Sequence, residues 1–184
     1  MEVHKNSFID NEYAYTLDTS IFDLKYIHEI IEKRYLTSNI GNQKYIGNVK
    51  DEPYLKKIKK RFPFLSESFN IFTLTTDMKI HVDTNRKACI NFIYPNGSKS
   101  YTKMYNIIKE NPMIESIPDY QVNVYRKEDL LKVFEFELNG PTLFNTSVPH
   151  TVNLVNNIQR ITMSWSVTQH YNFEYCKNKV KEYV

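Results

Sequence analysis

The chain has 184 residues, 41% hydrophobic and 14% aromatic with only 4 glycines, which excludes collagen-like, low-complexity and wholly disordered classes and suits a single domain. Lys and Arg number 24 against 21 Asp and Glu, a net charge of +3, too slight an excess to indicate a nucleic-acid partner. There is no apolar run of about 18 residues to span a membrane and no apolar core of signal-peptide type in the first fifteen residues, so the expected location is cytoplasmic, with no membrane partner.

Residues 20 to 35 place Ile21, Leu24, Ile27, Ile30 and Ile31 at helical spacing, and Asp18 to Ser20 offer acceptors for the N-cap. A connector from Thr37 to Asn48 leads to a second helix near 51 to 62, which Pro63 stops. The basic run from Lys56 to Arg61 falls on that helix beside Asp51 and Glu52, and reads as a solvated face. The two cysteines, Cys89 and Cys176, are not in a CxxC pair and indicate neither a disulfide framework nor a zinc knuckle.

From residue 69 onward the texture changes to short segments rich in Ile, Val, Thr, Phe and Tyr. The expected strands are 69 to 75, 79 to 83, 88 to 94, 121 to 125, 132 to 138, 142 to 145, 150 to 155 and 159 to 168. Residues 98 to 120 are polar and poorly periodic and are expected to form a long loop across the barrel mouth. Strands that do not alternate with helices argue against a doubly wound parallel sheet. They predict a mainly β domain with flanking helices and a jelly-roll, cupin-like core. The expected organisation is one domain: 1 to 65 as mainly helical support, 69 to 168 as the core, and 169 to 184 as a C-terminal extension.

Of the five histidines, His4 lies in the N-terminal tail, His28 on the polar side of a helix and His170 after the last strand. His81 and His150 sit in strand-like segments. Side chains two apart on a strand share a face, so His81 and Asp83 can converge on one ion. His150, from a neighbouring strand, would complete two imidazoles and one carboxylate, a set that leaves open positions and selects Fe(II) used with dioxygen and a chelating cosubstrate. Ten residues after His150 comes Arg160, in a segment whose alternation sends Arg160, Thr162, Ser164 and Ser166 to one face and Ile161, Met163 and Trp165 to the other. An arginine looking into a barrel needs an anion. The far carboxylate of a 2-oxo diacid would supply one, held by the planar guanidinium with help from a neighbouring hydroxyl.

This pattern, HxD with a distal His and then an Arg followed by hydroxyl residues, resembles the Fe(II)/2-oxoglutarate-dependent dioxygenase superfamily. The segment from His81 to Phe92, and the segment from Leu143 to Asn153 with Arg160 and Ser164, are similar to motifs of a group that includes aspartyl/asparaginyl hydroxylase-like and small phage-type oxygenases. The resemblance covers about residues 69 to 168 and implies a double-stranded β-helix. It implies His81, Asp83 and His150 as iron ligands, Arg160 as the partner of the distal 2-oxoglutarate carboxylate, Thr162 or Ser164 as its assistant, and Asn91 as a further cosubstrate contact. The implied reaction is hydroxylation of an unactivated C–H of a small-molecule or peptide substrate, consuming O2 and releasing succinate and CO2. Arg86, the segment 98 to 120 and Trp165 are the candidate substrate contacts, with an ion pair the competing role for Arg86 and the core for Trp165. Two other readings remain open: a cupin-like metal enzyme that does not use 2-oxoglutarate, and a non-catalytic jelly-roll binding or structural protein in which His81 and Asp83 are structural.

Overall fold

The computed structural model describes residues 8–36, 44–117, 120–156 and 158–183. His4 and the 37–43 part of the expected connector lie outside them. The described chain forms two six-stranded antiparallel sheets. One contains β1 (Ala14–Thr16), β2 (Lys44–Asn48), β3 (Leu65–Leu74), β5 (Ala88–Ile93), β10 (Thr142–Asn145) and β12 (Arg160–Val167), in the order β1-β10-β5-β12-β3-β2. The other contains β4 (His81–Asp83), β6 (Ser100–Ile107), β7 (Met113–Ile117), β8 (Tyr120–Val124), β9 (Leu130–Glu137) and β11 (His150–Leu154), in the order β7-β8-β4-β11-β6-β9.

The pairing is nested. Strand β3 pairs with β12, β4 with β11 and β6 with β9, while β5 pairs with β10. A long hairpin wound so that successive strands alternate between sheets gives this order, and it is a jelly roll. The hairpin β7–β8 is inserted between β6 and β9 and pairs along β4. It replaces the long loop expected over 98 to 120, since β6 and β7 both fall there.

Strand parity decides where the core sits. Ile161, Met163 and Trp165 of β12 join Phe69 and Ile71 of β3 and Ile90 and Phe92 of β5 on the outer face of the first sheet. Three helices, α1 (Leu24–Ile31), α2 (Pro53–Arg61) and α3 (Phe173–Lys181), bury Ile27, Ile31, Leu55, Ile58, Phe173 and Val180 in the same cluster. Trp165 is fully buried there and donates its indole N–H to Ser66 O at 2.9 Å, so it is a core residue. The N-cap of α1 is Asp23, which accepts from Lys25 N at 2.9 Å. Asp18, an expected cap, instead closes the preceding turn by accepting from Ser20 N at 2.7 Å. The N-terminal region also contributes β1 and β2 to the two edges of the first sheet.

The interior between the sheets is divided. Cys89, Met104, Phe136, Leu138 and Phe144 form an apolar cluster. Buried polar residues fill the rest: His81, Asp83, Ser100, Thr102, Thr142, His150, Arg160, Thr162 and Ser164.

Candidate metal centre

The nested pairing brings together residues far apart in sequence. His81 and His150 are direct register partners on β4 and β11, so both imidazoles leave the same face of the sheet, with ring centroids 4.3 Å apart. Asp83 is two residues along β4 on that face, and its Oδ1 lies 3.6 Å from His81 Nε2. One ligand atom from each of the three residues falls within 4.8 Å of the others, and all three residues are buried.

Hydrogen bonds orient each donor. The Nδ1 of His81 lies 2.9 Å from Lys79 O, and that of His150 lies 2.8 Å from Val148 O. A ring nitrogen facing a carbonyl must carry a proton, so both Nδ1–H groups donate, and in the neutral imidazole the lone pair is then on Nε2. Phe144 meets the His150 ring edge-on at 4.8 Å. Burial, reinforced by His81, lowers the His150 pKa to about 3, so the imidazole is neutral and able to ligate. Burial opposes the charge on Asp83, yet the Arg86 guanidinium beside it outweighs that penalty and keeps its pKa below the ordinary carboxylate value.

The carboxylate is half satisfied. Asp83 Oδ2 accepts from Arg86 Nε at 2.6 Å, while Oδ1 is buried without a hydrogen-bond partner. Leaving such an oxygen unmatched costs about 1–3 kcal/mol, more for a charged group. Two free imidazole lone pairs and an orphaned carboxylate oxygen converging on one point are the donor set of a divalent transition metal, and the three residues fit such an ion.

Arg160 lies at the other end of the interior. Its residue is 3% exposed, and its guanidinium donates through Nε to Thr162 Oγ1 and through Nη1 to Ser100 Oγ, both at 3.1 Å. No carboxylate pairs with it among the described residues, and burial lowers its pKa to about 10. The register spaces the two ends alike on both sheets: Arg160 is four residues from Ser164 on β12, and Ser100 is four residues from Met104, the β6 partner of His150. Four residues of strand span about 13 Å.

The two hydroxyls named with Arg160 have different partners: Thr162 Oγ1 accepts from Arg160 Nε at 3.1 Å, and Ser164 Oγ accepts from Arg86 Nη1 at 3.0 Å. Ser166 accepts from the same nitrogen at 3.3 Å. Arg86 thus faces Asp83 and two serines of β12. Asn91 is the register partner of Ser164 on β5 and accepts from Cys89 Sγ at 3.4 Å. Ser100 is the contact that sequence reasoning missed, because it fell in the expected loop. His28 packs edge-on to Tyr94 at 5.7 Å, and His170 is exposed beyond β12.

No protein-family model matches the chain, and no curated protein matches it by sequence. Solved structures align at low identity. Vicilin from Capsicum annuum aligns at 9% identity over 73% of this chain and 30% of that chain, with a TM-score of 0.39. For the Mn(II)-containing oxalate decarboxylase of Bacillus subtilis the values are 9%, 73%, 28% and 0.37. E. coli ycfD gives 7%, 71%, 36% and 0.39. This chain spans about a third of the length of the proteins it aligns with. Likenesses of this size identify no function, and the fold assignment stands on the strand order. No helix among the described residues is long and apolar enough to cross a membrane. The chain is a mainly β, cupin-like jelly roll with a candidate His-Asp-His metal site inside it.

Proposed function

We propose that the protein is an Fe(II)- and 2-oxoglutarate-dependent oxygenase that hydroxylates a C–H bond of a small-molecule or peptide substrate, releasing succinate and CO2. One observation carries the reading. A buried guanidinium with only hydroxyl partners shares a barrel interior with two free imidazole nitrogens and an unmatched carboxylate oxygen. At one end Arg160 has hydroxyls but no anion; at the other, Asp83 is ion-paired to Arg86 through Oδ2 while its buried Oδ1, beside the two imidazoles, has no partner. A 2-oxo diacid addresses both, with its distal carboxylate on Arg160 and its 2-oxo and C1 carboxylate groups directed toward the metal end.

In this reading His81, Asp83 and His150 would hold Fe(II), and the bound metal would supply dioxygen activation, the chemistry that no side chain here can perform. The chain's own residues bind, orient and shield. Arg160 holds the diacid through charge-assisted hydrogen bonds, while Thr162 and Ser100 fix the guanidinium plane. Phe144, Met104 and Phe136 exclude water from the flank of His150. A metal site without Arg160 would suit a cupin enzyme that uses no diacid. The buried, anion-seeking arginine favours the diacid reading.

The test is anaerobic addition of Fe(II) and 2-oxoglutarate to the metal-free protein, followed by visible absorption and, in air, a succinate-release screen against amino acids, peptides and metabolites. The expected result is a weak charge-transfer band that Arg160→Ala diminishes, and succinate release stimulated by the true substrate. A folded protein that binds Fe(II) but gives no band would shift the assignment to a cupin metal enzyme without 2-oxoglutarate. No metal uptake at all would leave a non-catalytic jelly roll.

A further inference from the structure

Arg86 joins the two sheets at the metal end. It lies in the turn after β4, and its guanidinium contacts Asp83 of one sheet and Ser164 and Ser166 of the other. The two serines are two apart on β12 and so share a face; both accept from one nitrogen of the fork. The turn itself is pinned from below. Thr146, fully buried, donates through Oγ1 to Arg86 O at 3.0 Å and through its backbone N–H to Lys87 O at 3.2 Å, and its carbonyl accepts from Asp83 N at 3.2 Å. Thr146 precedes His150 by four residues, so one loop braces both the arginine and the distal ligand strand.

The charge of this arrangement runs against a role in attracting a metal. A guanidinium 2.6 Å from the ligand carboxylate repels an incoming cation and draws electron density from the carboxylate. What it gives is geometry. A carboxylate on a three-residue strand can turn about its side-chain bonds and present either oxygen, or both. With Oδ2 held, only Oδ1 faces the imidazoles.

We propose that Arg86 is a positioning residue of the metal centre: it clamps Asp83 Oδ2 against the serines of β12 and thereby presents Oδ1 as a single fixed ligand atom. The inference rests on the metal-site part of the function proposed above. It assigns Arg86 to the metal-bearing carboxylate, acting through Asp83 with no contact to the metal itself.

The test is titration of the metal-free full chain with Mn(II), followed by calorimetry and by the electron paramagnetic resonance spectrum of the bound ion, for wild type, Arg86→Met and Arg86→Lys, with the melting temperature of each metal-free variant measured alongside. Outer contacts of this kind change metal affinity about 10- to 100-fold, so Arg86→Met is expected to bind Mn(II) at least about tenfold more weakly and to broaden its spectrum. Arg86→Lys keeps one donor but not the fork and should recover part of the affinity. A merely structural arginine would lower the melting temperature while leaving affinity and spectrum at wild-type values, which overturns the proposal. So would tighter binding by Arg86→Met, since that would make the residue an electrostatic brake. If wild type itself takes up no metal, the metal reading fails and the role of Arg86 falls with it, an outcome distinct from wild-type binding retained by the variant.

Discussion

The two guanidinium groups of the barrel interior are both held by hydroxyls of β12, and which hydroxyls each one uses fixes the end of the interior at which it lies. Arg160 uses Thr162, with Ser100 from the facing sheet. Arg86 uses Ser164 and Ser166. The two serine positions should therefore separate experimentally. Ser100→Ala removes a hydroxyl from a buried cation, and a hydrogen bond to a charged group contributes about 1.5–3 kcal/mol. The expected effect is a 2-oxoglutarate dissociation constant raised about tenfold with Mn(II) affinity unchanged, read by calorimetry. Ser164→Ala should do the reverse, weakening Mn(II) binding severalfold and leaving the diacid less affected. Equal effects of both substitutions on both ligands would mean that the two arginines act as one cluster and that the division of the interior into two ends is wrong.

At the scale of elements, β12 carries the fold and the site on opposite faces. Removing Trp165 from its outer face opens a cavity under the helices, and Trp→Ala at a buried position costs about 3–5 kcal/mol. In a chain of this length Trp165→Ala should lower the melting temperature by of the order of 10 °C, as calorimetry would show. A drop of only about a degree would mean that the helix layer does not depend on this residue. Strand β2 contributes a second test: Gly47 is paired with Phe69 of β3, and a Cβ at Gly47 would overlap the fully buried Phe69 ring, so Gly47→Ala should destabilise as well. Strand β12 was legible in the sequence because its alternation is clean, apolar toward the helices and polar toward the interior. The candidate trio was legible in part because period two puts His81 and Asp83 on one face. Strand β6 was not. Its inward positions are Ser100, Thr102 and Met104, so the face that hydrophobic patterning looks for is polar where it meets Arg160. Strand β7 was missed for another reason: it is an edge strand with Met113 and Ile114 both exposed, and nothing buries one side to impose alternation. The same inversion hid Ser100, while the role of Arg86 depends on contacts across sheets that no local spacing encodes.

For the molecule as a whole, the candidate metal site joins β4 to β11, strands about seventy residues apart in sequence, so a metal bound there would be linked to folding. Mn(II) at about 100 times its dissociation constant should add about 2.7 kcal/mol, a rise in melting temperature of about 5–10 °C for a chain of this size. The metal-free protein should also be sensitive to acid. Native His150 stays neutral because its pKa is lowered from 6.5 to about 3, by burial first and His81 second. Between those values the unfolded chain takes up a proton that the folded chain refuses, so stability rises with pH across that window and falls on acidification. The loss approaches about 1.4 kcal/mol per pH unit from this residue alone. Asp83 acts in a lower window: with its pKa held below 3.8, its contribution is present above that value and is lost only as pH falls through the lowered one. Melting curves of the metal-free protein should therefore be flat between about pH 7 and 8 and decline from about pH 6.5 downward, while His150→Ala should flatten the decline and abolish the Mn(II) shift together. A variant that lost the acid sensitivity but kept the full metal shift would place the metal elsewhere and remove His150 from its ligands.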